Sequence, residues 1–278
     1  MRKSIQIGYD GLFALKCALA AKVGFKEISL NCSEVLDKSE SEWEAIAEDI
    51  RAILEKNGLH CSQSHPYYYD LLLSSEITEE RYEFAMKQAI ITSAKLGAQW
   101  CVFHPRSSIT TGFSVKRSLE DNKCRFGEYL ELAVKHGTGI AAENLPVFDG
   151  IIPVMPFYSS NPEDLIALVD SFNDEKMAIC WDFGHANLMC FDQAEKIREV
   201  GKRLQCTHVH NNFRVRDDHL TPDQGDIPWG KVMKAVREIG YTGALTLETH
   251  CRYDTPALLE SFAKHNYACL EFLESLEE

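Results

Sequence analysis

Imidazoles and carboxylates close one apolar run after another along this chain. His65 ends SQSH, His104 ends VFH, Glu143 ends AAE, Asp182 and His185 end CWDFGH, His208 and His210 end THVH, and Glu248 ends LTLE. With His219 and His250, seven of the ten histidines stand at or just beyond such ends. Carboxylate oxygen and imidazole nitrogen are metal ligands, and a chain that delivers one such group per run gathers ligands at a common point. Taken singly, each acid is better read as a helix N-cap or a buried hydrogen-bond partner. Four such residues in corresponding positions, Glu143, Asp182, His208 and Glu248, call for another reason. Three carboxylates and one imidazole form an oxygen-rich site for one divalent metal, Mn, Mg or Co, with Zn also compatible.

The elements that must position these groups follow from the spacing. Strand-like runs (SIQIGY, EISLNC, HCSQSH, AQWCVFH, GIAAEN, MAICWDF, LQCTHVH, ALTLET) alternate with amphipathic stretches, among them Leu12 to Val23, Glu42 to Lys56, Thr78 to Leu96, Val115 to Lys135 and Pro256 to Leu276. Eight strand–helix units at this rhythm predict parallel βαβ connections, and near-continuous apolar strands predict a sheet buried on both faces. Residues 1–278 are read as one domain, a (β/α)8 TIM barrel, which needs about 250 residues. An open doubly wound sheet is the competing arrangement, but it would collect functional residues at one switch point rather than at most strand ends.

Composition narrows the partners. With 29 basic against 42 acidic residues, the net charge is −13, and the acids are spread along the chain. Such a surface repels a phosphate backbone, so no nucleic-acid partner is expected. The ten cysteines are scattered and form no CxxC, which fits reduced core thiols. The opening MRKSIQIGYD turns polar too early for a signal peptide, and no run reaches the length of a membrane span. The expectation is a cytoplasmic protein with no membrane partner.

Together ENLP, CWDFGHANL, THVHNNFRVRDDH, GDIPWGKV and LTLETH resemble the xylose-isomerase-like barrel superfamily in order and spacing. That superfamily holds sugar and sugar-phosphate isomerases and epimerases, inosose dehydratases and endonuclease IV enzymes. The resemblance implies that Glu143, Asp182, His208 and Glu248 hold one metal, with Glu143 and Glu248 as the catalytic pair passing a proton through an enediolate. It implies substrate contacts from His185 and Arg214, with His65 and His104 as hydrogen-bonding partners of sugar hydroxyls. The substrate is then a small carbohydrate, phosphorylated or free. Two-residue spacing puts His208 and His210 on the same face of a strand, so periodicity leaves the metal ligand open; the resemblance favours His208. Read against the endonuclease IV branch, His65, His104, His185, Asp217 and His219 match ligands for additional zinc, which would make the chain a phosphoesterase. An inosose-type dehydratase and a non-catalytic sugar-binding barrel are further alternatives. Related barrels often form homo-oligomers, and nothing in the surface pattern argues for or against one here.

Three further groups of residues stand near the expected mouth. Arg106, Arg214, Arg216 and Arg252 are its basic residues. The tyrosines Tyr67, Tyr68 and Tyr69 follow His65 in a loop and are candidates to contact a sugar. Alternation turns Phe103 and Trp181 outward, into the core between strands and helices, because each directly precedes a ligand-type residue.

Overall fold

The computed structural model describes residues 1–32, 35, 37–66, 78–108, 112–147 and 158–276. Its strands are β1 (Arg2–Gly8), β2 (Glu27–Asn31), β3 (His60–His65), β4 (Trp100–Phe103), β5 (Gly139–Glu143), β6 (Met177–Asp182), β7 (Leu204–His208) and β8 (Ala244–Leu247). Between and after them lie α1 (Phe13–Val23), α2 (Glu40–Asn57), α3 (Glu79–Lys95), α4 (Val115–His136), α5 (Pro162–Asp170), α6 (Phe183–Leu188), α7 (Gln193–Val200), α8 (Trp229–Glu238) and α9 (Pro256–Ser275).

Local chemistry marks the helix ends. Thr78 accepts from the Arg81 amide at the start of α3, and Asp192 accepts from the Ala194 and Glu195 amides at the start of α7. Proline opens α5 and α9, where its missing N–H costs nothing. Gly58 and Gly137 take left-handed conformations that stop α2 and α4.

The pairings between these strands are parallel, in the order β7-β6-β5-β4-β3-β2-β1-β8. Val209, one residue past β7, closes the circle: its amide donates to Thr246 O at 2.7 Å, and its carbonyl accepts from Glu248 N at 3.1 Å. The expected (β/α)8 barrel forms, and the open sheet is excluded.

The core has two parts. The larger packs strands against helices and contains Phe103, Trp181 and Trp229, so the outward reading of Phe103 and Trp181 holds. The smaller fills the barrel with Val102, Ala141, Ala178, Cys180 and Cys206. Ala141, Cys180 and Cys206 stand two residues before Glu143, Asp182 and His208. Each ligand-type side chain therefore sits one layer above a small inward residue, at the C-terminal mouth.

Candidate metal centre and active site

Strand ends carry the groups to the mouth. Glu143, Asp182 and His208 terminate β5, β6 and β7, and Glu248 follows β8 directly. All four are buried. His208 Nδ1 lies at their centre, 2.9 Å from Glu248 Oε2, 3.1 Å from Glu143 Oε1 and 3.9 Å from Asp182 Oδ2. The four residues expected at one metal are thus brought together.

The other oxygen of Glu143 faces two more imidazoles. Its Oε2 lies 3.1 Å from His65 Nε2 and 3.2 Å from His104 Nε2, and those nitrogens are 3.2 Å apart. A further group joins His185, His210, Asp217 and His219, whose donor atoms lie within 4.8 Å of one another. There, Asp217 Oδ2 sits 3.3 Å from His185 Nε2 and 3.0 Å from His219 Nε2.

Three of these imidazoles are oriented the same way. His65 Nδ1 is 2.7 Å from Pro66 O, His185 Nδ1 is 2.9 Å from Asn144 O, and His219 Nδ1 is 2.7 Å from Glu248 O. A carbonyl oxygen only accepts, so each Nδ1 carries the proton and donates. With a cation in place of the imidazole protons, each Nε2 would aim a lone pair into the cluster, as in metal-ligating histidines whose far nitrogen is anchored by a backbone carbonyl.

Electrostatics define what the cluster needs. Among the described residues, Glu143 Oε1 and Oε2, both ring nitrogens of His208, His210 Nδ1 and Asp217 Oδ1 are buried with no partner in hydrogen-bond geometry. Several lie at ion-pair distance, yet at angles unsuited to a shared proton. Burial alone would lower the His208 imidazole, but the charges of Glu143 and Glu248 lift it well above the ordinary histidine range. His185 is raised in the same way against its burial by Asp182 and Asp217, and His219 reaches about 9 beside Asp217. Burial would raise the carboxyls of Glu143, Glu248 and Asp217, yet the surrounding imidazoles hold all three well below the usual carboxylate range. Protons on imidazole thus supply the positive charge this ring of acids demands. A divalent cation supplies it with better geometry for orphaned lone pairs, so the donor set fits a metal.

Some supporting residues carry no clear mark in the sequence. The Asn144 side chain clasps the Asp182 backbone: its Oδ1 accepts from Asp182 N at 2.7 Å, and its Nδ2 donates to Asp182 O at 2.9 Å. Gln6 Nε2 donates to Glu248 Oε1 at 3.0 Å. Asp182 also caps the six-residue α6, accepting from His185 N at 2.6 Å, and the sequence pattern does not predict this helix between Asp182 and Asp192. His210, the alternative to His208 as ligand, has its Nε2 2.9 Å from Asp182 Oδ2. It can lie there because a Cβ on Gly184 would come 1.9 Å from its ring. Asn144 is legible as part of ENLP, and Gly184 as the small residue between two ligand types; Gln6 gives no signal.

Arg214 has a left-handed backbone, and its side chain is 42% exposed with Nε 3.4 Å from Asp226 Oδ2. Arg106 pairs with Glu79 and Glu83, and Arg216 with Asp218. Tyr67, Tyr68 and Tyr69 lie outside the described residues. Among the described residues no helix is long and apolar enough to cross a membrane.

Barrel and site together define a class, and the sequence places the chain within it. Residues 17–268 match the xylose isomerase-like TIM barrel, and the protein belongs to that family. An uncharacterised protein of Methanocaldococcus jannaschii is 28% identical over 167 residues, 59% of this chain and 55% of that protein. A D-psicose 3-epimerase of Enterocloster bolteae is 33% identical over 86 residues, 31% of this chain and 27% of the relative. The matched stretches therefore span about half, or less, of these relatives' lengths. Among solved structures, a D-psicose 3-epimerase of Clostridium cellulolyticum H10 with D-tagatose superposes at a TM-score of 0.76, with 17% identity and full coverage of both chains. At that identity the likeness concerns the fold.

Proposed function

We propose that this protein is a divalent-metal-dependent epimerase or isomerase acting on a ketose, with Glu143 and Glu248 as the proton-transferring pair. One observation carries the reading: two buried glutamates from β5 and the end of β8 approach the same His208 nitrogen, at 3.1 and 2.9 Å. Glu143, Asp182, His208 and Glu248 would hold the ion, which polarises a ketose carbonyl and acidifies the neighbouring C–H bond.

The chain's own residues do the rest. Each glutamate has two oxygens, so one can serve as ligand while the other takes or returns a proton at the substrate carbon. Removal by one and return by the other, through an enediolate of the substrate, inverts the carbon. Gln6 holds Glu248 Oε1 in place, and His65 and His104 flank Glu143 Oε2. His185, whose Nδ1 donates to Asn144 O, would turn its Nε2 from Asp217 Oδ2 to a substrate hydroxyl. The related sequence and the solved structure named as D-psicose 3-epimerases support a free ketose as substrate class.

The test is Glu143→Gln and Glu248→Gln, assayed on a panel of ketoses after metal loading. Each variant should still bind metal and substrate while turnover falls to background. Retained activity in both would remove the proposal.

A second reading draws on the anchored Nε2 atoms of His65, His185 and His219. With His104, His210 and Asp217 they offer ligands beyond one ion, which supports a multi-zinc phosphoesterase of the endonuclease IV kind. Two or three zinc equivalents together with phosphoester hydrolysis would favour it. The acidic chain, at −13, makes a nucleic-acid substrate the weaker choice. An inosose-type dehydratase would use the same base and expel water from the enediolate.

A further inference from the structure

A second cluster lies outside the barrel mouth. His265 and Cys269 stand four residues apart on α9, hence on one face of that helix, and Asp223 reaches them from the segment between β7 and α8. Asp223 Oδ1 is 3.1 Å from His265 Nε2 and 3.3 Å from Cys269 Sγ, and Cys269 Sγ is 3.7 Å from His265 Nε2. Cys269 is buried, while the other two side chains are about half exposed. The cluster therefore has a protected sulfur and an open side.

We propose that Asp223, His265 and Cys269 form a zinc-class binding site that ties the loop after β7 to the last helix. The argument is geometric. Zinc bonds of about 2.3 Å to sulfur and about 2.0–2.2 Å to nitrogen and oxygen, set at tetrahedral angles, separate donors by about 3.6 Å for sulfur pairs and about 3.4 Å for nitrogen–oxygen. The observed triangle of 3.7, 3.3 and 3.1 Å departs from one face of that tetrahedron by only a few tenths of an ångström. The fourth position faces solvent and takes water. A sulfur–imidazole–carboxylate set selects a borderline-soft cation over Mg²⁺ or Ca²⁺.

A hydrogen-bonded triad is the plain alternative, and its arrangement differs from a relay. Asp223 and Cys269 both approach the same imidazole nitrogen, so the acid does not orient the ring for the thiol. Three donor atoms each within 3.7 Å of the other two have the spacing of a chelate. Coordination requires the Cys269 S–H proton to leave to water as the sulfur–metal bond forms. Asp223 follows His219 by four residues, so an ion here would also restrain the loop that brings Asp217 and His219 to the mouth.

Cobalt(II) titration of the chelator-treated full-length protein tests the site, because Co²⁺ occupies zinc sites and thiolate ligation adds near-ultraviolet charge-transfer absorption. The band should saturate at about one bound equivalent beyond those taken up by the barrel mouth and disappear in Cys269→Ser. By equilibrium dialysis, Cys269→Ser and the half-exposed His265→Ala should each bind about one equivalent less than the unaltered protein. A band that persists in Cys269→Ser, a band lost in Cys180→Ser instead, or equal uptake by all proteins would overturn the proposal.

Discussion

Asn144 extends from the end of β5 to pair with both backbone polar groups of Asp182, at 2.7 and 2.9 Å, continuing the β5–β6 ladder with a side chain. Its own carbonyl accepts from His185 Nδ1 at 2.9 Å. One amide residue thus aims a carboxylate and an imidazole that belong to different ligand groups.

Asn144→Ala would leave the buried Asp182 N–H and C=O without these partners, a cost of about 1–3 kcal/mol. Loss of a residue that orients ligands typically lowers metal affinity about 10–100-fold. Urea denaturation and metal titration measure the two effects separately. Unchanged affinity would show that the Asp182 strand end is held by its ladder alone.

Gly184→Ala places a methyl group into the ring of His210, where a Cβ would lie 1.9 Å from Cε1. His210 is buried and stacked on His219 at 4.0 Å, so it has little room to retreat. The expected loss is about 1–3 kcal/mol of stability from overpacking. The midpoint of thermal unfolding should fall by several degrees, and a midpoint within error of the unaltered protein would contradict the close approach.

Metal removal should destabilise the protein, because Glu143, Asp182, Asp217 and Glu248 then rely on protons for neutralisation. With the free ion about 100-fold above its Kd, binding stabilises the fold by about 2.7 kcal/mol. Chelation should lower the melting temperature, and Mn²⁺, Co²⁺ or Zn²⁺ should restore it. A chelator without effect on protein shown to be metal-loaded would weigh against this linkage.

Arg214→Ala tests the phosphate question. The guanidinium is 42% exposed and its pair with Asp226 is worth about 0–1 kcal/mol, so turnover of free ketoses should change by no more than about fivefold. Loss of a measured preference for phosphorylated over free sugar would instead make Arg214 a phosphate ligand.

Much of this arrangement is legible from periodicity. Apolar runs ending in Glu143, Asp182 and His208 place each ligand one inward step past Ala141, Cys180 and Cys206, and the barrel keeps that layering. Period two also puts His208 and His210 on one face, and both do enter the cluster. Periodicity cannot choose between them because their distinction is lateral: His208 faces Glu143 and Glu248, whereas His210 faces Asp182 across from Gly184. Gln6 is not legible as a support, and Asn144 is legible only as part of ENLP and not in its role, because a polar residue at a strand end has the same pattern whether it meets solvent or a ligand. The short α6 is hidden because its amphipathic pattern is too brief to register, and its cap is itself a ligand-type residue, Asp182.

The most direct test of the central claim is proton exchange at the substrate carbon. A ketose should be incubated with metal-loaded protein in deuterium oxide and followed by NMR, with Glu143→Gln and Glu248→Gln in parallel. The expected result is deuterium beside the carbonyl with the unaltered protein, and none with either variant although both still bind metal. Absence of exchange into any ketose, with hydrolysis of a phosphoester by the same preparation, would contradict it.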